Sequence, residues 1–228
     1  MSETRKLHLP KSFDIYNFQY KKPIHNDLAV CIMYFNANKS KRILMNCLYV
    51  IEKLKMANIP VFVMEMYTTF PEIKDAFHLK ADILLFQKER MCHLIEERIP
   101  KSYTKLMFMD GDIVFDNLNW YNDMSTKLNH FNAVHGFTKF VRLDITYKHI
   151  IDECLSFTFR KKYGDKVHRL EDPRLDSTLG ALGAFSVTGS TKLAYFKMML
   201  LEHLIHIVYS RGALYQIHIH IQSSYRKV

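Results

Sequence analysis

A chain of 228 residues with 48% hydrophobic content can bury one substantial core, which argues against a disordered polymer and for a single domain with an appended tail. Its formal charge of +9 calls for an anionic partner: nucleic acid, an anionic membrane surface or a phosphate-bearing substrate. The basic residues are dispersed, with Arg5, Lys6, Lys11, Lys21 and Lys22 early, Arg160 to Arg169 later and Arg226 and Lys227 last, and no basic helix interleaved with aromatics gives nucleic acid any support.

Residues 1–27 are mixed, aromatic and basic, with Pro10 and Pro23, and are expected as an irregular arm over a domain spanning 28–228. Leu28 to Tyr34 is a continuous apolar run of strand length, and Asn36, Asn38 and Lys39 follow as a polar loop. Leu44, Cys47, Leu48, Ile51 and Leu54 then recur at helical spacing, ended by Asn58 and Pro60. Pro60 to Met64 predicts a second strand with Glu65 at its carboxyl end, which makes a strand-helix-strand unit and a parallel pair. Ala81 to Phe86 predicts a third strand, Lys88-Glu89-Arg90 opens a helix carrying Met91, Leu94 and Ile95, and Lys105 to Met109 is a fourth strand.

Past that strand, Asn117 to Leu128 predicts a helix, Ala133 to Phe137 a strand and Lys148 to Thr158 a short helix. Arg160 to Arg174 is dense in charge and is expected as a loop. Leu179 to Phe185 brings Gly180 and Gly183 together before a strand, and Thr191 to Val208 is an apolar helix candidate. Its most apolar part, Leu193 to Val208, carries Lys197, Glu202, His203 and His206, and is too short and too charged to cross a bilayer. Repeated strand-helix alternation predicts an α/β fold: a Rossmann-like α/β/α sandwich with a mostly parallel central sheet. Cys31, Cys47, Cys92 and Cys154 are widely spaced, and the first three sit among apolar neighbours. They read as reduced core residues instead of a disulfide frame or zinc site. With Met1 to Pro10 lacking an apolar core, neither a cleavable signal nor an N-terminal anchor is expected, and a cytoplasmic setting follows.

In such folds ligands gather at the carboxyl ends of the strands, where Tyr34, Asn36, Glu65, Lys88, Asp110 and Asp112 all fall. The most informative stretch is Asp110-Gly111-Asp112, because the apolar run Leu106 to Met109 stops there and two carboxylates appear. A buried strand ends in acids only where it opens to solvent or to a cation. Gly111 allows a tight turn, so that both carboxylates can reach one divalent ion and the anionic group it carries. The apolar Ile113-Val114-Phe115 that follows excludes a calcium loop of the EF-hand kind.

This ordered series resembles glycosyltransferases of the GT-A fold: the first strand and its asparagine loop, the second strand ending in an acid, the Gln87-Lys88-Glu89-Arg90 helix start, and Met109-Asp110-Gly111-Asp112-Ile113-Val114-Phe115 with Trp120 downstream. It is especially similar to small enzymes of this kind from bacteria and large DNA viruses, over about Leu28 to Val187. The resemblance implies transfer of a sugar from a nucleoside-diphosphate donor, such as a UDP- or GDP-sugar, to an acceptor hydroxyl on a glycan or glycoprotein. It implies Mn²⁺ or Mg²⁺ bound by Asp112, with Asp110 touching the metal indirectly or the donor ribose. Tyr34 and Asn36 would lie against base and ribose, Glu65 would accept from the base, and Lys88 would pair with a phosphate or the sugar. For a viral member the setting would be the host cytoplasm.

Each of these residues has a plainer alternative: Tyr34 finishing a strand, Lys88 and Glu89 as first-turn charges, Glu65 as a solvated strand end, and Gly180 and Gly183 as a turn. Trp120 is expected to pack. The family places an acceptor-side carboxylate after the glycine loop and often a late metal-binding histidine. Here no catalytic base is assignable, since Glu171, Asp172 and Asp176 precede the loop and the chain ends soon after Val208, as in a short or truncated domain. His218 and His220 alternate with isoleucines in a strand-like pattern, and His220 is the candidate for the last metal ligand. A nucleotidyltransferase would carry a glycine-rich loop after the first strand, and Tyr34 to Lys41 has no glycine. The rival class is a non-catalytic module, either an inactive glycosyltransferase-like domain or a basic nucleic-acid binder.

Overall fold

A computed structural model describes residues 14–155, 182–186, 215–218 and 222–226. In chain order the elements are β1 (Leu28–Phe35), α1 (Lys41–Met56), β2 (Val61–Tyr67), β3 (Phe77–Lys80), α2 (Lys88–Arg98), β4 (Lys105–Asp110) and β5 (Ile113–Phe115). They continue with α3 (Trp120–Leu128), β6 (Phe131–His135), β7 (Lys139–Leu143), β8 (Ile150–Leu155), β9 (Leu182–Ser186), β10 (Tyr215–His218) and β11 (Gln222–Arg226). The main sheet has the order β11-β6-β9-β4-β1-β2-β3. Strands β4, β1, β2 and β3 run parallel, and β9, β6 and β11 extend them antiparallel. A smaller sheet has the order β5-β10-β7-β8.

The layering follows from the two faces of β1, which is buried along nearly its whole length. Leu28, Val30, Ile32 and Tyr34 join Cys47, Val50 and Leu54 of α1 and Trp120, Met124 and Leu128 of α3 in one core cluster. Ala29, Cys31 and Met33 join Met91, Cys92 and Ile95 of α2 in the other. Alternate residues of one strand thus serve two helical layers, and the fold is a Rossmann-like α/β/α sandwich whose parallel half holds β4, β1, β2 and β3.

Helix α1 buries Cys47, Val50, Ile51 and Leu54, an i, i+3, i+4, i+7 stripe. Leu48, expected on that stripe, is 39% exposed, so the buried face is centred one residue further round. Asn58 takes a left-handed backbone at φ 58, and the Ile59 N–H returns to the Leu54 carbonyl at 3.0 Å, ending the helix where the sequence expects it. Residues 14–27 have no helix or strand, yet Ile15, Phe18 and Tyr20 are buried in the α1–α3 cluster. Tyr20 stands edge-on to Trp120, with ring centroids 5.8 Å apart, and Tyr49 donates a hydrogen bond to the Ile15 carbonyl. Trp120 itself is fully enclosed and stacks on Phe115 at 4.2 Å, a packing residue as expected.

Two expectations are corrected. The third strand is not Ala81 to Phe86 but Phe77–Lys80, whose alternating burial suits an edge strand; residues 83–86 are exposed. Lys148 to Thr158 does not start a helix, because Ile150–Leu155 pairs antiparallel with β7. Asp144 makes that turn: its carboxylate accepts the Thr146 and Lys148 amides at 3.1 Å each, an Asx-type turn that the apolar pattern does not reveal. Of the strand pattern expected over Ile217 to Ile221, Ile217 and His218 lie in β10 of the small sheet, and residues 219–221 lie outside the described residues.

Candidate functional site

The register lines up the carboxyl ends of the parallel strands. Met33 of β1 pairs with Asp110 of β4, and one residue on Tyr34 pairs with Glu65 of β2, which pairs with His78 of β3. Two polar groups result, one on each side of this edge.

The first is Asp110-Gly111-Asp112 with Lys88. Asp110 closes β4, Gly111 and Asp112 form a turn, and β5 follows in the other sheet. Lys88 is the first residue of α2, where a cation faces the positive end of the helix dipole. It is held there by Asp110, whose Oδ1 accepts from Lys88 Nζ at 2.7 Å. Asp112 is half-buried. Burial first, and then the neighbouring charge of Asp110, push its carboxyl up to about 8, with its own backbone N–H, Lys88 and Arg142 of β7 pulling weakly the other way. Gly111 serves a different purpose from the one expected. No left-handed backbone is found there, and a Cβ on it would lie 2.8 Å from Cys47 Sγ and 3.4 Å from Ile32 Cγ2, so the glycine lets α1 press against the turn. Beneath it, Cys47 is kept a neutral thiol by burial, with Asp112 and Glu65 adding to the rise.

The second group centres on Glu72, which the sequence reading missed. Its Oε2 accepts from Tyr34 Oη at 3.0 Å and from Asn36 Nδ2 at 3.1 Å, with Lys39 Nζ 3.6 Å away. Tyr34 is buried, and that burial, with Glu72, holds its phenol well above the usual range. Asn36 also clips the start of α1, accepting the Ser40 amide at 2.9 Å and donating to the Ser40 carbonyl at 3.0 Å. Glu65 is neither at the end of its strand nor solvated: it lies inside β2, fully buried. Its two oxygens accept the Glu72 amide at 2.6 Å and the Ile73 amide at 2.9 Å, so it fixes the loop that presents Glu72. His78 Nε2 lies 2.9 Å from the Ile73 carbonyl and 3.5 Å from Glu65.

The structure therefore brings Lys88, Asp110 and Asp112 together, and gathers Tyr34, Asn36 and Glu65 around the Glu72 loop. No signal in the sequence distinguishes Glu72, a loop glutamate after Phe70-Pro71 whose partners come from three other segments. Gly180 and His220 lie outside the described residues, as do Glu171, Asp172, Asp176 and the Thr191 to Val208 segment. Gly183 lies in β9 beside Phe108 of β4. Among the described residues no group of three or more His, Cys, Asp and Glu side chains is placed to hold a metal. Two carboxylates without a third protein ligand still suit Mg²⁺ or Mn²⁺, which are commonly bound through one or two carboxylates with substrate phosphates completing the shell.

No family model and no curated protein matches the chain. Among solved structures it is similar to a 4-diphosphocytidyl-2C-methyl-D-erythritol synthase from Anaerococcus prevotii, at 9% identity and a TM-score of 0.38, with 88% of this chain and 89% of that one covered.

Proposed function

We propose that the protein is a metal-dependent glycosyltransferase that moves a sugar from a nucleoside-diphosphate donor to an acceptor hydroxyl on a glycan or glycoprotein. The observation that supports this reading best is the placement of Asp110 and Asp112 across a turn at the carboxyl end of β4, with the Asp112 carboxyl raised to about 8 and Lys88 bound to Asp110. Asp112 would be the metal's principal ligand and Asp110 its support. A bound Mn²⁺ or Mg²⁺ would supply charge to the donor's two phosphates and to the leaving diphosphate. Lys88 would turn from Asp110 toward a phosphate as the donor enters. Tyr34 and Asn36, with Glu72 behind them, would border the nucleoside, while Glu65 acts by holding the Glu72 loop in place.

The test is a calorimetric titration of the full chain with UDP and with GDP, each with and without Mn²⁺. The expected result is metal-dependent binding of one nucleotide, lost in Asp112→Ala and weakened in Lys88→Ala. Nucleotide binding that ignores both the metal and Asp112→Ala would overturn the reading. So would salt-sensitive binding to nucleic acid as the only interaction found, since that is the behaviour of a basic binding module.

A further inference from the structure

Every hydrogen bond to the Glu72 carboxylate among the described residues falls on one of its oxygens. Oε2 accepts from Tyr34 Oη at 3.0 Å and from Asn36 Nδ2 at 3.1 Å, and Lys39 Nζ lies 3.6 Å from the same atom. Oε1 accepts none there and is not enclosed, although the Glu72 side chain as a whole is only 11% exposed. Its lone pairs are open on a carboxylate that cannot swing away without breaking two hydrogen bonds. The donors beside it are engaged. Tyr34 gives its hydroxyl proton to Glu72, and the two Asn36 Nδ2 protons go to Glu72 and to the Ser40 carbonyl at 3.0 Å. Lys39, with one N–H on the Phe70 carbonyl at 2.8 Å, keeps N–H groups for a ligand. Its ammonium also stands 4.4 Å from the centre of the Phe70 ring, which is 60% exposed. An anchored acceptor, a cation beside it and an exposed aromatic ring therefore share one patch past the carboxyl ends of β1 and β2.

We propose that this patch reads the base of the donor and selects guanine, with Glu72 as the residue that sets the choice. The inference rests on the transferase reading and names its donor as a guanosine-diphosphate sugar. The Watson–Crick edge of guanine carries two adjacent donors, N1–H and the 2-amino group, followed by the O6 acceptor. Glu72 Oε1 has two lone pairs for the two donors, and Lys39 meets O6, which makes three contacts. Uracil has one donor, N3–H, between two carbonyls, so one carbonyl is left facing the carboxylate. Cytosine and adenine each place one amino group beside a ring-nitrogen acceptor, and so make two contacts. A largely enclosed carboxylate sharpens the difference, because a base that fails to pair with it leaves it desolvated without compensation. The Phe70 ring offers a face on which any base stacks, adding affinity without choosing among them.

The test is calorimetric titration of the full chain, with Mn²⁺, using GDP, UDP, CDP, ADP and inosine diphosphate, whose base is guanine without its 2-amino group. Wild type is expected to bind GDP about tenfold more tightly than inosine diphosphate, and the other three more weakly still. This arm needs no variant. In Glu72→Gln the amide oxygen has to stay with Tyr34 and Asn36, which puts an N–H2 donor where Oε1 was. GDP binding is then expected to fall about tenfold while UDP binding does not fall. Equal binding of GDP and inosine diphosphate by wild type, or UDP, CDP or ADP bound as tightly as GDP, would overturn the proposal. So would an equal loss for all five nucleotides in Glu72→Gln, since a carboxylate that holds the ribose hydroxyls is blind to the base. Metal-dependent binding that prefers UDP would leave the transferase reading standing without guanine selection, whereas no metal-dependent binding of any nucleotide would remove both.

Discussion

At Asp112 burial and the adjacent Asp110 act in the same direction, and the residue holds its proton far above the ordinary carboxylate value, from 3.8 up to about 8. The folded state therefore binds a proton that the unfolded chain has already released. Stability from this group is complete below 3.8 and is lost as pH rises toward about 8. Subtracting the melting temperature of Asp112→Asn from that of wild type should expose this slope, because carboxylates elsewhere cancel in the difference. A difference that stays flat across that window would show that Asp112 is ordinarily solvated. Gly111 carries a second residue-scale consequence. Its missing Cβ leaves room for Cys47 Sγ, which would otherwise lie at 2.8 Å, so Gly111→Ala should cost about 1–3 kcal/mol by overpacking. In a Cys47→Ala background the offending sulfur is gone, and the cost of the same substitution should fall measurably by denaturant unfolding. Equal costs in both backgrounds would place the strain elsewhere.

Among the elements, β4 is held at its start as firmly as its end is opened. Lys105 is buried, and its Nζ donates to Asp27 Oδ2 at 2.5 Å, to the Ser125 carbonyl at 2.9 Å and to Ser125 Oγ at 3.0 Å, tying β4 to the start of β1 and to α3. At Asp27 partial burial raises the pKa, but the hydrogen bonds from Lys105 and Ser125 outweigh it and the net shift is downward. The pair therefore stabilises the fold above the ordinary carboxylate range and is lost as the pH falls through the depressed folded value. Asp27→Ala, which leaves the Lys105 ammonium enclosed without its partner, should cost about 2–3 kcal/mol at neutral pH, and urea unfolding at neutral and acidic pH should show that penalty shrinking in acid. The same elements show what a sequence discloses. β1, β2 and β4 are legible because strands covered on both faces are nearly continuous apolar runs, and α2 because Met91 and Ile95 recur at helical spacing. Ala81 to Phe86 has the same apolar density, yet among the described residues no strand pairs with it, and density cannot report a missing partner. β8 is missed for the converse reason: a side chain in the preceding turn, Asp144, selects a hairpin over a helix.

For the molecule as a whole, Asp110-Gly111-Asp112 is the point at which the chain leaves one sheet for the other, β4 belonging to the seven-stranded sheet and β5 to the four-stranded one. This explains why half of the site was legible. Asp110, Asp112 and Lys88 lie at element ends that local pattern locates, whereas Arg142 comes from β7 and Glu72 from a loop, and only the tertiary fold brings them near. The junction also has an energetic consequence under the proposed function. A metal and nucleoside diphosphate bound across Asp110 and Asp112 would have to keep the end of β4 and the start of β5 in one arrangement, and so couple the two sheets. Saturation with Mn²⁺ and the bound nucleotide at about a hundred times the dissociation constant should stabilise the fold by about 2.7 kcal/mol, seen as a rise in melting temperature. Amide exchange should slow at Met109 and Asp110 and equally at Ile113 to Phe115, and Asp112→Ala should lose both effects together. Protection on one side of Gly111 alone would mean that the ligand binds a single sheet and that the turn is merely a connection.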